Sequence, residues 1–181
     1  FVGTPDISKD GRYVVFESLA SDLVGGDTNA KVDLFVRDLV AMTTERVSVD
    51  SSESEANQNS YAPRISADGR YVAFHSTASN LVAADANGVT MDIFLRDRQA
   101  GTTTLLSYDS SGVQFTGPTI DASISADGRY VAFKGNSIYV RDTAANTTTL
   151  ASLSYTSGAG VAGTNSGCRP TPRARSRSMP T

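Results

Sequence analysis

Ile65-Ser66-Ala67-Asp68-Gly69-Arg70-Tyr71-Val72-Ala73-Phe74 is the stretch that decides the fold. The same ten residues return at Ile124–Phe133, and at Ile7–Phe16 with Lys9 and Val15 in place of the two alanines. The copies begin 58 and 59 residues apart, and self-similarity at a near-constant period marks a repeat architecture. Asp68-Gly69 tolerates positive φ and gives a tight hairpin turn. Tyr71, Val72, Ala73 and Phe74 are all apolar and either β-forming or small, the pattern of a strand covered on both faces. Pro63 and Ile65 belong to a short strand that the turn folds back. Asp10-Gly11 and Asp127-Gly128 repeat the turn.

Outward from the hairpin, each copy carries two more strands. In the first, a polar loop from Ala20 to Lys31 leads to Asp33–Asp38 (D-L-F-V-R-D) and then Thr44–Val49. The second repeats this with loop Thr77–Met91, strand Asp92–Asp97 (D-I-F-L-R-D) and strand Thr103–Tyr108, Gly101 standing in the turn where the first has Met42. The third keeps Ser137–Asp142 (S-I-Y-V-R-D) and Thr147–Leu153 but loses the long loop. From the hairpin Phe to the Asp of Arg-Asp is 22, 23 and then 9 residues. A framework that persists while a loop shrinks is a scaffold with variable loops. The expected class is all-β, with three four-stranded antiparallel meander sheets.

Tandem four-stranded units of this size point to β-propeller blades. The pattern P-x-I-S-A-D-G-R-Y-V-A-F, followed by D-L-F-V-R-D or D-I-F-L-R-D and by G-T-T-T-L-L-S at Gly101–Ser107, resembles the bacterial TolB-type propeller repeat, a PD40-type relative of the WD40 blade. The resemblance covers roughly Thr4 to Leu153. It implies a six- to eight-bladed parent, exported to the periplasm or beyond, with protein or peptide partners. Blades are expected at 1–56, 57–117 and 118–164, followed by an irregular tail at 165–181. A closed ring takes about 4–8 blades, so the chain is expected to be an arc of a longer propeller, with further blades in the parent chain.

Composition narrows the function classes. The 181 residues are 39% hydrophobic and 19% charged, with net charge −3, which gives no general attraction to nucleic acid or anionic membrane. No apolar run approaches the ~20 residues that span a bilayer, so no membrane insertion is expected. The chain opens at Phe1 without a methionine, leaving room for an upstream segment. The single cysteine, Cys168, excludes an internal disulfide and a multi-cysteine zinc site.

The candidate chemistry lies first in the long loops. Asp27, Asn29 and Asp33, and again Asp85, Asn87 and Asp92, gather oxygen side chains of the kind calcium favours. Asp and Asn also build turns, and three features favour turns here. The last spacing differs by one residue between copies, no bidentate Glu follows, and the third repeat lacks the loop. Lys31 and Val89 also stand where the calcium loops of integrin-type propellers carry a further acid. No metal is therefore assigned. Arg37-Asp38, Arg96-Asp97 and Arg141-Asp142 recur in every repeat, which favours a structural role, ending strands or tying blades together. Asp10, Asp68 and Asp127 read as turn residues. His75, the only histidine, occupies a position held by Glu17 and Lys134 elsewhere and is expected to be exposed. It has no partner for a nucleophile or a multi-histidine metal site. No G-x-S-x-G, Gly-rich phosphate loop or H-E-x-x-H occurs. No catalytic, cofactor-binding or metal residue is assigned.

The function expected is a non-catalytic scaffold for protein or peptide interaction. The alternatives are a propeller domain of a larger, prolyl-oligopeptidase-like hydrolase and a surface carbohydrate-binding propeller, for which Tyr61 and Phe115 are the available aromatics. The core is expected at Val14, Phe16, Val72, Phe74, Val131 and Phe133, with Leu34, Val36, Ile93, Leu95, Ile138 and Val140 beside them. An open arc exposes end faces, so self-association or marginal stability is expected. From about Arg169 the pattern collapses into a basic, proline-bearing run. Reading two bases later permits I-S-I-N-A-D there, close to Ser123–Asp127, so a frameshift is expected within a fourth repeat.

Overall fold

The computed structural model describes residues 3–153. The tail that raised the frameshift expectation lies outside them. Among the described residues there is no helix, and none long and apolar enough to cross a membrane. Twelve strands among the described residues form three four-stranded antiparallel sheets. The first holds β1 (Asp6–Ile7), β2 (Tyr13–Ser18), β3 (Asp33–Asp38) and β4 (Thr43–Arg46). The second holds β5 (Ser60–Ile65), β6 (Tyr71–Ser76), β7 (Asp92–Asp97) and β8 (Thr102–Leu105). The third holds β9 (Ile120–Ile124), β10 (Tyr130–Lys134), β11 (Ile138–Asp142) and β12 (Thr147–Leu150). Neighbours in sequence are neighbours in each sheet, so every sheet is a meander.

The hairpin glycines Gly11, Gly69 and Gly128 take φ of 74°, 75° and 74°, a left-handed conformation that glycine adopts without a β-carbon penalty. The turn is also wired by side chains. Ser66 Oγ donates to Asp68 Oδ1 at 2.6 Å and accepts the Tyr71 amide at 2.9 Å, while the Arg70 amide donates to Asp68 Oδ1 at 3.0 Å. Ser8/Asp10 and Ser125/Asp127 repeat the arrangement.

Strand alternation then assigns each side chain to one neighbour. On one face of the second sheet Val72, Phe74 and Phe94 pack with Val15, Leu34 and Val36 of the first. On the other, Ala73, Ile93 and Leu95 pack with Val131 and Phe133 of the third. The middle sheet is therefore apolar on both faces, as the run Tyr71–Phe74 requires. The first strands approach one another, β1 against β5 and β5 against β9. Their hairpins are also linked, because the Lys9 amide donates to the Ala67 carbonyl at 3.0 Å and the Ala67 amide to the Ala126 carbonyl at 2.9 Å. Three sheets thus stand face to face with their first strands together.

Two expectations need correction. Val14, Phe16 and Val140 are only half-buried, and Ile138 is 39% exposed. By strand parity Val14 and Phe16 face away from the second sheet, where a preceding blade would stand, and Ile138 and Val140 face away on the far side. These end positions have the right residues but, among the described residues, no neighbouring sheet to bury them. His75 is buried, 8% exposed, because it points from the middle sheet toward the third. Lys134 at the same position is exposed, as it belongs to the last sheet.

Candidate functional site

In the second and third sheets the Arg-Asp pair divides its work between blades, while Arg37 of the first donates to Thr44 Oγ1 of its own sheet at 3.0 Å. The aspartate closes its own blade. Asp38, Asp97 and Asp142 receive a two-pronged hydrogen bond from Arg12, Arg70 and Arg129 of the hairpin, the shortest contacts being 2.7, 2.7 and 2.8 Å. Their Oδ1 atoms also cap the next turn, as when Asp38 accepts the Val40 and Ala41 amides. The arginine hydrogen bonds hold all three carboxyls below the ordinary range, Asp142 to about 2.

Arg96 and Arg141 face the preceding blade, and here the two copies diverge. Arg96 of the second sheet is buried and donates to the Asp50 carbonyl at 3.1 Å and to the Glu53 carboxylate, both on the loop that leaves the first sheet. Arg141 is its counterpart in the third sheet, 4% exposed. It donates to Thr148 Oγ1 at 3.0 Å and to Asn146, and its guanidinium lies 5.4 Å from the Tyr108 ring centre. Glu53, however, is replaced by Gly112. Both positions take positive φ, 65° and 77°. Arg141 Nε is left buried without a partner, and among the described residues no carboxylate forms an ion pair with it. Burial without a counter-charge lowers the Arg141 pKa.

The space vacated at Gly112 is open. A cavity of ≈ 400 Å³ is bounded there by Thr103, Leu105, Tyr108, Gly112, Arg141 and Asn146, with Val82 and Ala84 at its edge. A second cavity, lined by Asp50 to Ser52 and Ser79 to Ala83, shares Val82 and Thr103 with it. The two cavities meet at Val82 and Thr103, beside β8, and the first of them is the groove between the second and third sheets. A cationic, desolvated fork beside an aromatic ring can bind a carboxylate in the geometry Arg96 uses for Glu53. What the repeats share carries no trace of this site. Its signal was a difference, Glu53 against Gly112 at equal offsets from Val-Ser-Val-Asp and Leu-Ser-Tyr-Asp.

The two Asp/Asn loops also differ. In the first blade Arg46 reaches into the acidic group, 2.9 Å from Glu55, 3.6 Å from Asp27 and 3.8 Å from Asp33. Asn29 Nδ2 donates to Asp33 at 2.8 Å, Lys31 N donates to Asn29 Oδ1 at 2.7 Å, and Ser48 donates to Asp33 at 2.5 Å. The carboxylates of this loop are thus gathered around a guanidinium, whose Nε alone stays buried without a partner. In the second blade Leu105 takes the place of Arg46 and Gln114 that of Glu55. Gln114 Nε2 bridges Asp85 at 3.0 Å and Asp92 at 3.2 Å. Burial raises the Asp92 pKa to about 6. Among the described residues, no three carboxylate, imidazole or thiol groups gather as a metal cage.

The remaining candidates are structural. His75 lies with its ring 6.0 Å from that of Tyr61, and burial lowers its pKa, opposed by Asp121. Glu17, its counterpart in the first blade, accepts the Ala62 amide of the second at 3.1 Å. Phe115 is packed against Tyr139 and Phe133, at 4.8 and 6.1 Å between ring centres, and is not a free loop platform.

No protein-family model matches the chain, and no curated protein matches it. Solved structures do. TolB from Acinetobacter baumannii superposes with a TM-score of 0.50 at 21% identity, over 83% of this chain and 32% of that one. The β-propeller domain of the trilobed protease from Pyrococcus furiosus, described as having an open velcro topology, superposes with a TM-score of 0.53 at 14% identity, over 82% and 41%. The chain spans less than half the length of either. At such identities the likeness is one of fold, and that fold is a partial β-propeller of the TolB-like kind.

Proposed function

We propose that this chain is part of a non-catalytic propeller scaffold that binds a protein or peptide, and that the groove between the second and third sheets receives a carboxylate of that partner. The observation that carries the reading is Arg141, buried and without the carboxylate that its counterpart Arg96 takes from Glu53. A buried charge lacking its counter-ion is costly and is relieved by an opposite charge. The groove's mixed apolar and hydroxyl lining suits an extended acidic peptide better than a compact metabolite. Nucleic acid does not fit, since the chain is net acidic. The similarity to TolB-type repeats supports a place in the periplasm or outside the cell.

The test uses the full chain and fluorescence anisotropy with labelled Asp/Glu-containing peptides, each paired with its Asn/Gln counterpart. Acidic peptides are expected to bind at least tenfold more tightly than neutral ones. Gly112→Glu should abolish the difference by refilling the groove with the first blade's own carboxylate, at a position where Glu53 is seen to tolerate the backbone. Equal binding of acidic and neutral peptides, or an unchanged preference in Gly112→Glu, would overturn the reading.

A second reading is a propeller domain attached to a hydrolase, favoured by the likeness to the propeller domain of a protease. An α/β-hydrolase domain in the same open reading frame decides for it.

A further inference from the structure

We propose that the long loop of the second blade holds a hard divalent cation, calcium by preference, between Asp85, Asn87 and Asp92. Three oxygens in and beside this loop are buried and make no well-formed hydrogen bond: Asp85 Oδ2, Asn87 Oδ1 and Asp92 Oδ1, with the Ser107 and Asn87 side chains near Asp92. Asp92 itself is 0% exposed. Buried polar atoms without partners are rare, and each points to a missing donor or ion. The surrounding hydrogen bonds fix which oxygens are free. Gln114 Oε1 accepts the Ala86 amide at 2.8 Å, so its Nε2 faces the carboxylates and occupies the other oxygen of each. Asn87 Nδ2 donates to the Phe115 carbonyl at 2.8 Å, which leaves Oδ1 as the side chain's free atom.

The first blade shows what the second lacks. There Arg46 supplies positive charge among Asp27, Asp33 and Glu55, and the Lys31 amide caps the asparagine oxygen. In the second blade Leu105 carries no charge, and the extra residue between Asn87 and Asp92 removes the donor that Lys31 provides. The spacing difference that argued for a simple turn is the change that frees Asn87 Oδ1. Two carboxylates and an amide oxygen make an all-oxygen, flexible and weakly charged donor set, which suits calcium over the octahedral demands of magnesium. Water or backbone carbonyls would complete its coordination. The expected dissociation constant lies at about 10⁻⁴–10⁻³ M, the range of weakly charged extracellular modules.

The experiment takes the full chain freed of metal with a chelator and titrates it with calcium or magnesium alone, reading heat of binding and melting temperature. Calcium is expected to bind and raise the melting temperature, magnesium more weakly. Asp85→Asn, at a half-buried position, should lose the shift while melting normally without metal. Asn87→Asp should enlarge it, with affinity at least tenfold tighter, a change that a purely structural loop would not give. No calcium binding by the parent chain, a shift undiminished in Asp85→Asn, or magnesium matching calcium would each overturn the assignment.

Discussion

The Tyr13 ring of the first blade lies directly over Gly69 of the second, so close that a β-carbon on Gly69 would fall within the ring's own contact radius. Tyr71 stands over Gly128 in the same way. Arg12 and Arg98 flank the Tyr13 ring with their guanidinium carbons 4.8 and 4.5 Å from its centre, as cation–π contacts do. The hairpin glycine therefore serves two purposes. It permits the turn, and it leaves room for the tyrosine of the preceding blade.

These roles separate by substitution. Gly11 has positive φ but nothing within reach of an added β-carbon, so Gly11→Ala should cost only the left-handed backbone penalty of roughly 1–2 kcal/mol. Gly69→Ala and Gly128→Ala add the clash with the ring and should cost about 1–3 kcal/mol more. Urea unfolding of the three variants measures the difference. Equal losses would remove the tyrosine from the account.

A similar contrast holds for the recurring phenylalanine. Phe74 is fully buried between two sheets, so Phe74→Ala should cost about 3–5 kcal/mol. Phe16 sits at the equivalent position on an end face and is half-buried, so Phe16→Ala should cost no more than about half as much. Denaturant midpoints at constant slope check the ratio.

Acid should loosen each blade through its Arg–Asp clamp. Asp142 titrates at about 2 in the folded chain against an ordinary 3.8, because Arg129 hydrogen-bonds its charged form. A folded pKa below the unfolded one means the contribution is complete above about 4 and is lost as pH falls toward 2. Melting temperature against pH should show that loss, and Asp142→Asn should flatten it while lowering stability at neutral pH. A variant with the parent's pH slope would exclude this clamp as a source.

The end faces make a further prediction. Tyr130 is 41% and Ile138 39% exposed, on the side of the third sheet that has no partner among the described residues. Sedimentation of the full chain should show self-association that rises with concentration and weakens in Ile138→Glu. A monomer at every concentration would contradict it.

Much of this was legible in the sequence because it repeats. Three copies of I-S-x-D-G-R-Y-V-x-F carry the turn, the alternation and the paired faces in one short run. Burial at the ends was less legible, because Val14 and Ile138 are core residues only when another sheet covers them. His75 misled for a related reason: Glu17, His75 and Lys134 look like a tolerant surface position, yet each faces the next blade, and its burial depends on whether that blade is there. The site residues were hidden by the same regularity. Arg46 against Leu105, and Glu53 against Gly112, are single differences between copies, and their meaning lies in contacts formed across tens of residues.

Three consecutive blades stand face to face, linked at their hairpins, and among the described residues the third has no blade beyond it. Hydrogen exchange at residue resolution on dilute full chain tests this most directly. The Ala67 amide donates to the Ala126 carbonyl of the next blade, whereas Ala126, in the last described blade, is exposed and has no backbone acceptor for its amide among the described residues. Ala67 should exchange slowly, with the core strands, and Ala126 quickly, with the loops. Equal rates at the two amides would contradict the stacked, open arrangement.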